Sequence, residues 1–114
     1  MIKKDPKIFI EHILESISLV GQYIFELSKK DFLQSKEVQD ATIRRIEIIG
    51  EATRQIANDL REKYPEIKWR EIMAMRNLLI HEYFAVDMEA TWDTIKQDLP
   101  KLERQLKKVI KELE

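Results

Sequence analysis

The sequence predicts an all-α fold, an antiparallel bundle of four to five helices, on three observations. Apolar residues recur at spacings of three and four, as in Ile10, Ile13, Ile17, Val20, Ile24 and Leu27, the period of a helix with one buried face. Only two glycines, Gly21 and Gly50, occur among 114 residues, too few for a turn-rich sheet sandwich. No stretch alternates apolar and polar residues at the period of a strand. The length fits one domain over residues 1–114 with a single core.

Asp5-Pro6 opens the first helix as an N-cap followed by proline at the first helical position. Its seam predicts a helix to about Lys29. Asp31 then opens a short turn or helix around Phe32 and Leu33. A second long helix starts near Ser35 or Lys36, with Ser35 as cap, and its seam runs Thr42, Ile46, Ile49, Thr53, Ile56 and Leu60. Gly50 in mid-helix costs about 1 kcal/mol relative to alanine, and with Ala57 it suggests close approach of another backbone. Tyr64-Pro65 ends this helix, because the residue before proline is pushed out of the helical region. A third helix covers about Trp69 to Glu82. Asp87 caps a fourth, through Ala90, Trp92 and Ile95. Pro100 either kinks that helix or begins a fifth, containing Leu102, Leu106, Val109, Ile110 and Leu113.

Hydrophobic residues make up 44% of the chain and charged residues 36%, the balance of long amphipathic helices. There is no cysteine, which excludes disulfides, thiolate nucleophiles and cysteine-based zinc sites. The amino terminus is interrupted by Lys3, Lys4, Asp5, Lys7 and Glu11, and no stretch approaches the length of a membrane span. A cytoplasmic protein without membrane partners is expected. The formal net charge of −1 gives no global basic footprint for nucleic acid, so any RNA contact needs a local cluster, built from one subunit or two.

One segment breaks the helical pattern. Trp69, Ile72, Arg76, Leu79 and Tyr83 form a stripe whose members are apolar or aromatic except Arg76. The neighbouring stripe reads Met73, Asn77, Ile80 and Phe84, with an amide in the corresponding place. A guanidinium set where a core side chain belongs is costly unless it is paired or faces a cleft. His81 lies one turn beyond Asn77. Near a helix carboxyl terminus its protonated form is favoured by the dipole. Arg76, imidazolium and the Asn77 amide together suit an anionic ligand such as a phosphodiester. RNA cleavage at such a site needs no metal and no cofactor, because the 2′-hydroxyl is an internal nucleophile. His81 would transfer protons and Arg76 would hold the non-bridging oxygens. One histidine is too few to serve as both acid and base, so a two-fold dimer supplying a second His81 is part of the hypothesis.

Structural readings stand beside this one. Arg76 is equally well a structural ion-pair member, with Glu47 or Glu51 as partner. His81 fits a helix cap, Asn77 its local partner, and Tyr83 a core aromatic. His12, among Glu11 and Glu15, belongs to a solvated face. The run Lys101, Arg104, Lys107, Lys108 and Lys111 reads as a solvated face too, or as an aid to holding RNA. Spacing leaves the function open.

Arg76-Asn77-Leu78-Leu79-Ile80-His81-Glu82-Tyr83 resembles the R-x4-H-x-Y signature of HEPN-domain proteins, in particular the HepT-like toxin group. The segment from Arg44 to Ala52, Trp69-Arg70-Glu71-Ile72, Phe84-Ala85-Val86-Asp87 and Trp92 are similar to that group in the same order. The resemblance implies a homodimer with the signature lining a cleft between subunits. It implies a metal-independent endoribonuclease toxin, with Arg76 and His81 catalytic and a minimal nucleotidyltransferase as antitoxin. Tyr83 would be the tyrosine that this partner modifies with AMP. Outside what the resemblance implies, Asn77 would support the site as an amide donor, and Glu51, which is not part of the signature, would orient Arg76. The competing expectation is a non-catalytic helical module that docks a nucleotidyltransferase.

Overall fold

The computed structural model describes the backbone of residues 5–81 and 87–114, and the side chains of residues 5–75 and 87–114. All secondary structure among these residues is helical. The helices are α1 (Pro6–Tyr23), α2 (Lys29–Gln34), α3 (Lys36–Arg54), α4 (Asn58–Lys63), α5 (Trp69–His81), α6 (Met88–Asp93) and α7 (Leu99–Leu113), with a π-helical turn over Thr94–Asp98 between the last two. Helix α3 packs against α1 on one side and α5 on the other, α7 packs on α1, and α2 bridges α3 and α6.

Helix α1 starts as its sequence dictates: Asp5 accepts a hydrogen bond from the Lys7 amide at 3.0 Å, with proline next in the chain. It ends at Tyr23 instead of near Lys29. The chain then turns through Glu26, whose φ of 65° lies in the left-handed region. That conformation is costly for a residue with a Cβ. The seam outlasts the helix, since Ile24 is buried. Ser28, not Asp31, caps α2: the Ser28 hydroxyl accepts from the Asp31 amide at 3.1 Å, and the Asp31 carboxylate accepts from the Ser28 amide at 3.0 Å. This reciprocal pair at a spacing of three is a capping box, and it is the signal that a reading of Asp31 alone missed.

Ser35 caps α3 through the Val38 amide at 3.2 Å. The expected second long helix is divided: α3 closes at Gln55, and α4 begins after Ala57. Asn58 and Asp59 compete with the backbone for hydrogen bonds in mid-helix and favour a first turn. Here the Asp59 carboxylate accepts from the Leu60 amide at 2.9 Å. The seam survives the break, because Thr42, Ile46, Ile49, Thr53, Ile56 and Leu60 are all buried. Gly50 is buried on the same helix.

Asp87 caps α6 by accepting from the Glu89 and Ala90 amides at 3.0 and 3.1 Å. Of the two expectations for Pro100, the helical path continues from α6 into α7 and does not restart. The π-turn adds the slack: the Leu99 amide donates to the Thr94 carbonyl, five residues back. Proline has no N–H to give and its ring crowds the carbonyl four residues back, so a widened turn just before Pro100 relieves both demands.

The core is aliphatic, with Ile10, Ile13, Ile46, Ile49 and Leu106 essentially inaccessible to solvent. Each such side chain contributes about 1.5–3 kcal/mol by leaving water. At one end the Phe32 and Trp92 rings meet at 5.3 Å between centroids, tying α2 to α6, and the Lys96 ammonium lies 5.4 Å from the Trp92 ring. No helix among the described residues is long and apolar enough to cross a membrane.

Candidate active site

The anomalous segment lies on α5 as far as His81, and the entry of this helix is firmly held. The indole N–H of Trp69 donates to the carbonyls of Arg61 and Tyr64, each at 3.0 Å. Each of these carbonyls, where α4 ends before Pro65, also accepts a backbone amide, Arg61 from Tyr64 at 3.2 Å and Tyr64 from Ile67 at 3.1 Å, so the indole reaching back across the turn is a second donor to both. Trp69 and Ile72, the first two members of the stripe, are buried. Met73 is half-buried, and its sulfur accepts from the Arg61 guanidinium at 3.0 Å. The first half of the stripe therefore faces the core as its spacing predicts.

Arg76, Asn77 and His81 are carried by the same helix, His81 as its last described residue. Five residues of α-helix separate Arg76 from His81 by about 7.5 Å of rise and about 140° of rotation. The two positions are therefore not stacked on one face of the helix. Their side chains, and Tyr83 as a whole, lie outside the described residues.

Glu51 is on α3, the helix against which α5 packs. It is exposed, and its carboxylate lies 3.8 Å from the Arg54 guanidinium. Glu47, the other proposed acid, lies 3.5 Å from Arg44. Such pairs along one exposed helix face are weak. Glu51 and Glu47 also line a groove of about 450 Å³ between α1 and α3, with Phe9, Ile48 and His12. His12 is exposed, as expected, yet it belongs to this groove. Phe9 and His12, three apart on α1, were the available signal for a second, polar-edged face beside the core seam.

Among the described groups, Tyr64 stands out in its protonation. Its hydroxyl donates to the Glu112 carboxylate at 2.6 Å. That hydrogen bond holds the phenol protonated and raises its pKa above 10.0, with smaller contributions from burial and from the Glu112 and Glu66 charges. The contact fastens the end of α7 to the end of α4. It lies just before the entry to α5, at the opposite end of that helix from Arg76 and His81, and serves the fold.

Comparison with known proteins places the chain firmly. Residues 13–109 match the family described as Ribonuclease HepT-like. A Methanocaldococcus jannaschii protein named as both a gamma-glutamylcyclotransferase and a candidate RNase is 48% identical over 99% of this chain, which spans only 51% of that longer protein. A second candidate RNase of the same organism is 42% identical over 93% of this chain and 97% of its own length. A "Probable ribonuclease HepT" of Thermococcus cleftensis is 44% identical over 96% of this chain and 100% of its own length. No solved structure matches the chain.

Proposed function

Because the chain belongs to the HepT-like ribonuclease family, we propose that it is a metal-independent endoribonuclease, the toxin of a toxin–antitoxin pair, acting as a homodimer. The observation that carries this reading is the Arg76-x4-His81-x-Tyr83 signature, whose Arg76 and His81 lie on one helix, α5, packed on α3 within the matched span.

In the proposed reaction the 2′-oxygen of a ribose attacks the adjacent phosphorus and the 5′-oxygen of the next nucleotide leaves. The products are a 2′,3′-cyclic phosphate and a 5′-hydroxyl end. One His81 accepts the 2′-hydroxyl proton, and the His81 of a second subunit protonates the leaving oxygen. Arg76 binds the non-bridging oxygens in its planar fork, where negative charge develops. Asn77 adds an amide donor, and Glu51 orients Arg76 from α3. A minimal nucleotidyltransferase transfers the AMP moiety of ATP to the Tyr83 hydroxyl: the phenolic oxygen bonds to the α-phosphorus as the α–β anhydride bond breaks, releasing pyrophosphate and the phenolic proton. The added phosphate places bulk and negative charge beside Arg76 and His81, blocking the cleft and repelling RNA.

The test is cleavage of RNA in EDTA by purified, unmodified protein. Arg76→Ala and His81→Ala should each lower the rate by about 10²–10⁴-fold, the usual worth of a positioned proton donor or charge clamp. Wild-type rates in both variants would sink the assignment. The net charge of −1 favours the rival reading, a docking module for the nucleotidyltransferase, since a free ribonuclease benefits from a basic groove. That reading predicts stable association and no cleavage in any modification state. Intact mass with and without the nucleotidyltransferase reads out AMP on Tyr83 directly.

A further inference from the structure

The near-neutral net charge conceals a strong local asymmetry on α7. This helix buries Leu99, Leu102, Leu106 and Val109. Lys101, Arg104, Lys107, Lys108 and Lys111 are all exposed. At 100° per residue the five cations fall within about 120° of arc, centred opposite the buried face. The carboxylates that belong to this helix, or follow it, are engaged elsewhere. Glu103 faces Lys107 at 4.0 Å, Glu112 accepts from the Tyr64 hydroxyl at 2.6 Å, and Glu114 lies 3.4 Å from Lys7. Among the described residues, Lys101, Arg104, Lys108 and Lys111 form no ion pair. Four unneutralised cations thus run along about 15 Å of helix, on a chain with a net charge of −1.

One end of this row meets α5. Lys101 lines a groove of about 210 Å³ with Lys68, Ile72 and Met75, and Met75 directly precedes Arg76. Glu66, Glu71 and Asp98 line the same groove, so an anion is repelled from its floor and held on the outer face of α7.

We propose that the outward face of α7, through Lys101, Arg104, Lys108 and Lys111, is a docking track for the phosphate backbone of single-stranded RNA. The track holds the strand by charge, without reading its bases, and leads it towards α5. This rests on the ribonuclease reading, and it explains how a chain without a global basic surface gains affinity for a polyanion: five of its 20 lysines and arginines share one face of α7, a helix whose own carboxylates are only Glu103 and Glu112.

The test is binding of a long, labelled 2′-O-methyl oligonucleotide, which has no 2′-hydroxyl to cleave, to the full chain at several salt concentrations. Each phosphate contact contributes about 0.7 to the slope of log affinity against log salt for a single strand. Replacing all four residues by alanine should flatten the slope by roughly 2–3 and weaken binding at least tenfold at low salt. Replacing all four by the other basic residue (Lys101→Arg, Arg104→Lys, Lys108→Arg, Lys111→Arg) should restore both. Unchanged affinity and slope in the alanine variant would overturn the proposal, as would loss of nucleotidyltransferase binding with RNA binding intact. Cleavage of a dinucleotide by the unaltered protein, a substrate too short to span from α5 along α7, tests the ribonuclease reading by itself. Its failure is therefore told apart from failure of the track.

Discussion

Helices α3 and α7 are both amphipathic, but they solve opposite packing problems. Helix α3 has neighbours on two sides, α1 and α5. Its buried positions include Thr42, Gly50 and Thr53 alongside Ile46 and Ile49. Small and β-branched side chains let two helices approach one helix at once. Helix α7 lies on α1 as an outer layer and buries only large aliphatics, Leu99, Leu102, Leu106 and Val109. The polar residues differ accordingly. On α3 they pair locally, Arg44 with Glu47 and Arg54 with Glu51, whereas on α7 Lys107 pairs with Glu103 and, among the described residues, Lys101, Arg104, Lys108 and Lys111 form no ion pair. A central helix spends its sequence on fit, and an outer helix has a whole face left for charge.

This contrast can be broken or sharpened by substitution. The largest effect is expected at the centre: Ile49→Ala should cost about 2–5 kcal/mol, because neighbours on two sides cannot collapse into the space. A urea-unfolding cost below that of an exposed substitution would show that α3 is not the packed centre of the fold. Next comes the polarity of that centre. The Thr53 hydroxyl donates to the Ile49 carbonyl at 2.7 Å, while the equally buried Thr42 hydroxyl has no partner among the described residues. A buried unsatisfied hydroxyl costs about 1–3 kcal/mol, so Thr42→Val should stabilise the protein, read as a rise in denaturation midpoint. Destabilisation would mean that the hydroxyl is used.

The smallest effect is expected where α7 is tied down at the surface. Tyr64→Phe should lower the melting temperature slightly by removing the bond to Glu112. The sign with pH follows from the raised pKa. The neutral phenol's contribution is fully present below 10.0 and is lost as pH climbs through the higher folded-state value. The difference between wild type and Tyr64→Phe should therefore be constant around neutrality and vanish in the alkaline range above 10.0. A difference that persists there would locate the effect in packing.

The seams were legible in the sequence wherever burial follows from spacing alone. Ile10, Ile13, Ile17, Val20 and Ile24 are buried as their period requires, and so are Ile56 and Leu60 beyond the end of α3. Caps at Asp5, Ser35 and Asp87 were legible for the same local reason. The ends of α1 and α3 were not. An apolar period does not record where the backbone leaves the helix, because Ile24 and Ile56 are buried either way. The overlooked signals were Ser28 with Asp31, and Asn58 with Asp59. Of the candidate site, the signature and the placement of Arg76, Asn77 and His81 on α5 were legible, because both are properties of one contiguous segment. The groove that joins Glu51 to His12 was not, because it brings together α1 and α3 from distant parts of the chain.

By itself the sequence determined the helical class, the buried seams, the caps and the membership of Arg76, Asn77 and His81 in one helix. These are set by interactions within a few residues and by which side chains leave water. Only the tertiary structure decided that α3 lies between α1 and α5, that the helical path runs on past Pro100 through a π-turn, and which face of α7 is left bare. Those outcomes depend on which helices compete for the same core, and that competition is settled by packing between segments far apart in the chain.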